Sequence, residues 1–445
     1  MLHQKAEHAP SEHQVHRTGD WLPGDHRVHK EWLNGVIQKA DEKSKGLHPV
    51  LKEFKNAIEG DTRLFLLVNS MFEQIPTKKP YSKDPEGHKQ VRDYQHMLQL
   101  FNHILTSAPE WSDQSYSLGM VGTPINAILD WPMGTPSGFA FFLDPEVNKL
   151  LKKVLNTWAE FLASPASAYV LGDDNIGWFS NHGTKDLAVT ANVGKTSFKF
   201  EELFICDPTK EHHGYKSWDN FFTRHFHEDK RLVAEPENDD IIVNACESKS
   251  YNVARDISGR DRFWIKGQPY SVVDMLALDP LYEHFVGGTI YQAFLSALSY
   301  HRWHAPVGGT VKKAYVKEGT YFSEPLFEGL GDPESHKIDP SGEVSGQGYL
   351  TATATRAIIF FEADNKDLGL VCFLGIGMTE VSTCDITVKL GQHVKKGDEI
   401  GMFHYGGSTH CVLFQKGVEL CDFPQLHAEH NVPVRSKLAA LKRSN

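Results

Sequence analysis

The sequence contains few cysteines, and none of them form a paired motif. The 445 residues include 6 cysteines, scattered without CxxC spacing, so neither a disulfide scaffold nor a zinc ribbon is indicated. Long apolar runs are also missing: the longest, residues 368–378, is about half of the roughly 20 residues that a membrane-spanning helix requires. Residues 1–30 lack the apolar stretch of a secretory signal, and we interpret them as a flexible tail. We therefore expect a soluble, cytoplasmic protein.

Basic residues are scarce relative to acidic ones. The chain has 46 Lys and Arg against 57 Asp and Glu, a net charge of -11. This charge repels phosphate backbones and anionic lipid headgroups, so we predict no nucleic-acid partner and disfavour a membrane partner. A hydrophobic content of 40% with 11% aromatic residues is typical of a folded globular chain. The length favours two domains over one core.

The apolar pattern changes from helical to strand-like along the chain. Asp144 and Pro145 are a helix start signal, and apolar residues recur at helical spacing from there to Leu162. Residues 50–75 and 91–105 show the same pattern. Beyond Ile241, β-branched and aromatic runs alternate with glycine turns, and residues 323–349 form a predicted long surface loop. The predicted fold class is α+β, with a mainly helical domain over residues 31–215 and a strand-rich domain over residues 216–445.

Three short segments carry residues suited to chemistry. They are residues 406–409 (GGST), residues 300–306 (YHRWHAP) and residues 244–248 (NACES). Each has an ordinary structural interpretation as well: a glycine turn, histidines in packing or surface positions, and the polar end of a strand. No third ligand lies at a diagnostic spacing from the two histidines and HExxH is absent, so we expect no metal.

The order of these segments resembles the phosphatidylserine decarboxylase family of pyruvoyl enzymes. The resemblance runs from Trp218 to the C-terminus, about half of the chain. Its motifs are residues 220–224 (NFFTR), 300–309 (YHRWHAPVGG), 396–403 (KGDEIGMF) and 406–409 (GGST). Each motif is weak alone, and the ordered set is specific.

The resemblance implies a cofactor made by the chain itself. Ser408 would be the cleavage site and the source of a covalent pyruvoyl group, with Gly407 as the last residue of the larger product. The processed chains would be residues 1–407 and 408–445. The pyruvoyl group would form a Schiff base with a substrate amine and replace pyridoxal phosphate as electron sink.

The resemblance also implies roles for three further residues. His304 would activate Ser408, and His301 would lie near the scissile carboxylate and help to reprotonate the substrate carbon. The family usually carries an Asp that orients the catalytic histidine, whereas this chain has residues 245–248 (ACES). Glu247 is therefore the candidate partner of the imidazole, with a longer reach.

The departures from the common family pattern resemble a fungal subgroup that includes the tryptophan decarboxylase of psilocybin biosynthesis. They comprise residues 245–248, residues 362–366 (EADNK), residues 377–380 (GMTE) and the added helical region. On this similarity the substrate would be a free aromatic L-amino acid, with L-tryptophan the leading candidate and tryptamine its product. The absence of a membrane anchor agrees with a soluble substrate.

Other functions and roles remain open at this point. Phosphatidylserine decarboxylation to phosphatidylethanolamine would use the same chemistry at a bilayer. Residues 391–398 (GQHVKKGD) also resemble the turn of biotinyl and lipoyl carrier modules, although no modifiable lysine stands out, and an unprocessed scaffold is a third alternative. For the helical region two roles are open: covering the catalytic domain or forming a homodimer contact.

Overall fold

The computed structural model describes residues 26–42, 46–74, 91–111, 123–174, 177–260, 270–323, 348–380, 383–426, 428 and 430–443. Most of the predicted tail and of the predicted loop at 323–349 lies outside these residues. The first helix, α1, spans His26–Glu42. The helical region therefore begins earlier than the predicted tail end at residue 30.

The first half of the described chain is helical, as predicted. The helices after α1 are α2 (Pro49–Gly60), α3 (Thr62–Glu73), α4 (Tyr94–Ile104), α5 (Pro124–Met133), α6 (Pro136–Leu143), α7 (Pro145–Ala163), α8 (Asn181–Ala191), α9 (Phe200–Leu203) and α10 (Trp218–Phe222). A further short helix, α11 (Val272–Met275), lies among the strands.

Local capping explains where these helices begin. The Asp144 carboxylate accepts hydrogen bonds from the backbone N–H groups of Glu146 and Val147, and Pro145 occupies the first turn of α7. This confirms the predicted start signal. The predicted helix over residues 50–75 is instead two helices, because Asp61 has an extended backbone and caps α3.

The second half consists of antiparallel strands. They are β1 (Ile241–Val243), β2 (Lys249–Arg255), β3 (Thr289–Leu295), β4 (Arg302–His304), β5 (Gly309–Lys317), β6 (Arg356–Ala363), β7 (Leu370–Met378), β8 (Cys384–Ile386), β9 (His393–Val394), β10 (Glu399–Phe403), β11 (Gly407–Phe414), β12 (Leu420–Cys421) and β13 (Lys437–Leu441). The main sheet has seven strands in the order β2-β3-β11-β7-β6-β5-β9, and two three-stranded sheets have the orders β4-β10-β8 and β1-β13-β12. The α+β prediction is confirmed.

Hydrophobic packing joins the two halves of the chain. The apolar cluster of the helices also includes Tyr300 and Tyr405 from the strand-rich half. A second cluster fills the space between the seven-stranded sheet and the β4-β10-β8 sheet, with Trp303 and Phe373 among its members. The helical half therefore packs against the strand-rich half. Within the described residues, no helix is both long and apolar enough to cross a bilayer.

Candidate active site

A tight turn leads the chain into an interior strand of the main sheet. β10 ends at Phe403, and Tyr405 (φ 40°) and Gly406 (φ 92°) have left-handed backbones before β11 begins at Gly407. A left-handed conformation is unfavourable for tyrosine, so surrounding contacts must hold it. The Tyr405 hydroxyl donates to the Leu155 carbonyl at 3.2 Å, and its ring packs edge-on against Trp158 with centroids 5.3 Å apart. Helix α7 thus anchors this turn.

His404 fixes the other side of the same turn. Its Nδ1 lies 2.8 Å from Oδ1 of Asp219, and its Nε2 lies 3.7 Å from Oδ2 of Asp385. Burial alone would lower the pKa of His404, but the hydrogen bond and charge of Asp219, with a contribution from Asp385, raise it. His404 is therefore suited to an electrostatic contact between α10 and β8.

Ser408 is fully buried at the start of β11. The strand lies between β3 and β7, where Ser408 is paired with Leu295 and Gly377. Because side chains alternate along a strand, Ser408 shares a face with Val412, which packs in the cluster between the two sheets. The Ser408 hydroxyl has no hydrogen-bond partner. A buried hydroxyl without a partner is costly and is characteristic of reactive sites.

His301 lies just before β4 and is buried and neutral. Its ring stacks on Phe222 of α10 with centroids 4.0 Å apart, and neither ring nitrogen makes a hydrogen bond of normal geometry. Burial, followed by the nearby charge of Arg224, lowers the pKa of His301 well below its usual value. A neutral imidazole can accept a proton near neutral pH.

His304 is buried at the end of β4, and both of its nitrogens are engaged. Nδ1 lies 2.9 Å from the Gly397 carbonyl and Nε2 lies 3.0 Å from the Tyr300 hydroxyl. Arg435 Nε lies 3.2 Å from the same Nδ1 and donates to the Gly397 carbonyl at 2.9 Å, so Nδ1 has both a donor and an acceptor beside it. Burial, together with the charge of Arg435, lowers the pKa of His304 to about 3. The imidazole is therefore uncharged near neutral pH.

Glu247 does not bind either histidine in the structure. Its Oε1 and Oε2 accept from Nη2 and Nε of Arg231 at 2.6 and 2.9 Å, and Oε2 also accepts from the Val434 N–H at 2.8 Å. The predicted pairing with the catalytic imidazole is thus replaced by a buried ion pair, because Arg231 offers two matched donors. The Gly397 carbonyl and Arg435 lie at Nδ1 of His304 instead.

Two buried polar residues near Ser408 were missed by sequence reasoning. His410 lies two residues after Ser408 on the same face of β11, and its ring nitrogens lack hydrogen bonds of normal geometry. Glu380 follows the end of β7 and is fully buried. The sequence signal that could have identified Glu380 is its position as a charged residue shortly after an apolar strand, in the GMTE segment. Among the described residues no cluster of three His, Cys, Asp or Glu side chains could hold a metal ion.

Comparisons with known proteins show the family of this chain. Two family models, both described as phosphatidylserine decarboxylase, match residues 48–187 and residues 218–439. The chain belongs to the phosphatidylserine decarboxylase family. It is therefore a decarboxylase, an enzyme of the carboxy-lyase class, and the family match includes the helical half as well as the strand-rich half.

Curated fungal relatives place the chain near a subgroup of this family. Decarboxylase iboD of Amanita muscaria is 41% identical over 312 residues, covering 68% of this chain and 87% of the relative. The L-tryptophan decarboxylase of Psilocybe cubensis is 35% identical over 413 residues, covering 90% of this chain and 89% of the relative. The L-tryptophan decarboxylase of Psilocybe cyanescens is 36% identical over 420 residues, covering 92% of this chain and 90% of the relative. The predicted fungal subgroup is confirmed.

Proposed function

We propose that this decarboxylase cleaves itself between Gly407 and Ser408 and removes the α-carboxylate of a free aromatic L-amino acid, with L-tryptophan the first candidate. The observation that carries the proposal is the buried, unpartnered hydroxyl of Ser408 at the start of β11, an interior strand of the main sheet. It follows a turn whose left-handed backbone is held by contacts from another part of the chain. Such an arrangement presents the hydroxyl to the preceding peptide bond.

The self-cleavage reaction uses only atoms of the chain and water. The Ser408 oxygen attacks the Gly407 carbonyl carbon and transfers its proton to a base, and the peptide C–N bond breaks to give an ester and a free amine. Loss of the Ser408 α-proton then expels the Gly407 carboxylate and leaves dehydroalanine. Hydrolysis converts this residue to a keto-acyl terminus and releases ammonia. Gly407 suits the attack because it has no side chain to obstruct it.

The surroundings of Ser408 fit a pyruvoyl group formed in place. The hydroxyl it would derive from is buried without a partner, and no charged side chain is bonded to it. When present, a pyruvoyl group supplies an electron-accepting carbonyl for the loss of carbon dioxide. The chain's own contribution is to enclose the site and to supply neutral imidazoles.

The two histidines are proposed to act at different stages. His304 is buried and uncharged near neutral pH, which supports a role as base in self-cleavage. The ring nitrogens of His301 make no hydrogen bond of normal geometry, so one of them is open to take up a proton and then return it to the substrate carbon.

The choice of an amino acid over a lipid rests on two observations. Two relatives that align with about nine-tenths of this chain are named L-tryptophan decarboxylases. The net charge of -11 also disfavours docking on an anionic bilayer. A free amino acid needs only a closed pocket, which the helical half can complete.

Denaturing mass spectrometry of the wild-type protein and three variants tests the proposal. We expect two wild-type fragments that meet at Gly407 and Ser408, the smaller one with a keto-acyl terminus, and a single full-length species for Ser408→Ala. His304→Ala should block cleavage. His301→Ala should cleave but release carbon dioxide at least about a hundredfold more slowly, as expected for loss of a proton-transfer group.

The opposite results are equally informative. A wild-type protein that remains full length and still releases carbon dioxide would contradict the proposal. Cleavage of His304→Ala together with a block in His301→Ala would assign the base role to His301. Release of carbon dioxide from phosphatidylserine vesicles, and from none of the aromatic amino acids, would replace the proposed substrate with the lipid.

A further inference from the structure

Glu380 is a buried carboxyl with one oxygen unused. Its side chain is fully buried, and Oε1 accepts from the backbone N–H of Asn126 at 2.8 Å. Oε2 has no hydrogen-bond partner. Asn126 lies in the first turn of α5, so the carboxyl sits at the N-terminus of a ten-residue helix.

Burial makes it energetically unfavourable for Oε2 of Glu380 to lack a hydrogen-bond partner. Burial raises the pKa of Glu380 to about 7, although the N–H groups of Asn126 and Ile125 and the Thr379 hydroxyl oppose this shift. None of the described lysine, arginine or histidine side chains forms an ion pair with it. A buried carboxyl oxygen without a partner is unfavourable unless a ligand completes its hydrogen bonding.

Glu380 lies at the same edge of the main sheet as Ser408. Gly377 is paired with Ser408 and Met378 is paired with Gly407. Glu380 is three positions after Gly377, a span of at most about 11 Å, and the left-handed backbone of Thr379 (φ 55°) redirects the chain between them.

Apolar side chains accompany the carboxyl. Met378 belongs to a hydrophobic cluster that includes Tyr349, and Phe139 of α6 packs against the cluster. The rings of Phe139 and Tyr349 lie 6.5 Å apart. Aromatic ligands are usually bound by apolar side chains together with a few polar atoms. Met378 itself faces away from the Ser408 side chain, because Gly377 is the residue paired with Ser408 and side chains alternate along β7.

From this placement we propose that Glu380 determines specificity by accepting a hydrogen bond from a ring N–H or O–H of the substrate. The inference rests on the proposed function and names a narrower substrate class: aromatic amino acids whose ring carries a donor, such as an indole or a phenol. The unfilled Oε2 receives the donor, and the Asn126 N–H fixes the other oxygen. Phenylalanine and N-methylated indoles leave Oε2 without a partner.

Steady-state kinetics with matched substrates tests the inference. L-tryptophan, L-tyrosine, L-phenylalanine and 1-methyl-L-tryptophan are assayed with the wild-type protein, Glu380→Gln and Glu380→Leu, after self-cleavage of each has been measured by mass spectrometry. We expect a wild-type kcat/KM for L-tryptophan or L-tyrosine at least about tenfold above those for the two substrates without a donor, as for one hydrogen bond to a carboxylate. Glu380→Leu should lower the value for the donor substrate by about 10–100-fold and leave the others within about threefold.

The conservative variant separates recognition from folding. Glu380→Gln keeps an acceptor oxygen and should retain part of the preference even if Glu380→Leu does not fold. A fall by the same factor for all substrates, or equal wild-type rates with phenylalanine and the donor substrates, would overturn the inference while the proposed function stands. A wild-type protein that is uncleaved, or inactive on every aromatic amino acid, would refute the proposed function and the inference with it.

Discussion

Single residues at this site show how burial sets the protonation state. Glu380 meets the N–H groups at the start of α5, which favour its charged form, but burial outweighs them and raises its pKa to about 7. Burial acts in the opposite direction on the imidazoles and lowers the pKa of His304 to about 3. The same loss of water favours the uncharged form of both the acid and the base.

The raised pKa of Glu380 predicts a specific dependence of stability on pH. The pKa of this carboxyl is ordinarily 4.5 and is about 7 in the folded protein. Between these two pH values, the folded protein retains a proton on Glu380 that the unfolded chain has released. The free energy of unfolding should therefore fall as the pH rises through this window, by up to roughly 3 kcal/mol relative to Glu380→Gln. Urea denaturation in a Ser408→Ala background, which keeps the chain in one piece, measures this difference. Parallel pH profiles for the two proteins would contradict it.

At the scale of elements, Trp303 connects the two sheets around the site. Its ring fits between β7 and β10 because each of these strands has a glycine beside the ring. A Cβ on Gly375 would lie 2.9 Å from the Trp303 ring. A Cβ on Gly401 would lie 2.5 Å from the same ring and would also clash with the Asp385 carbonyl. Close packing of this kind holds β4 against the main sheet. The positions of His301 and His304 therefore depend on two small residues in other strands.

Substitution of Gly401 tests this packing. Gly401→Ala should lower stability by about 1–3 kcal/mol, because the methyl group overpacks a core that cannot move away. Gly60→Ala is the matched control, since a Cβ at the end of α2 meets nothing within 4 Å, and it should be neutral or slightly stabilising. Thermal denaturation of the two variants compares them. Equal melting temperatures would show that the Trp303 site is not tightly packed.

At the scale of the whole molecule, the proposed cleavage cuts the chain at the start of β11, an interior strand of the main sheet. β11 is bonded to β3 from Ser408 to Phe414 and to β7 from Gly407 to Phe414. The segment after the cut also supplies β12 and β13, and β13 pairs with β1 of the larger fragment. The smaller product is therefore an integral part of two sheets.

This topology predicts that the two products stay together after cleavage. Residues 1–407 and 408–445 should co-elute in equal amounts during native size-exclusion chromatography and separate only in denaturant, because removal of β11 would expose unpaired backbone groups and apolar surface. The Ser408→Ala protein serves as the uncleaved reference. Loss of the smaller fragment under native conditions would refute this prediction.

Local sequence patterns determined much of this protein by themselves. The Asp144-Pro145 start of α7, the change from helical to strand-like periodicity, and the ordered motifs around His301, His304 and Ser408 are readable because each signal spans only a few neighbouring residues. The family and the α+β class follow from them. Such signals identify which side chains are present, but not what those side chains contact.

Contacts between distant segments were decided only by the tertiary structure. Glu247 is paired with Arg231 rather than with an imidazole. Glu380 receives its hydrogen bond from Asn126, 254 residues earlier in the chain, and Tyr405 is held by α7. Hydrogen-bond partners and burial depend on which segments fold against each other, and no local pattern encodes that choice.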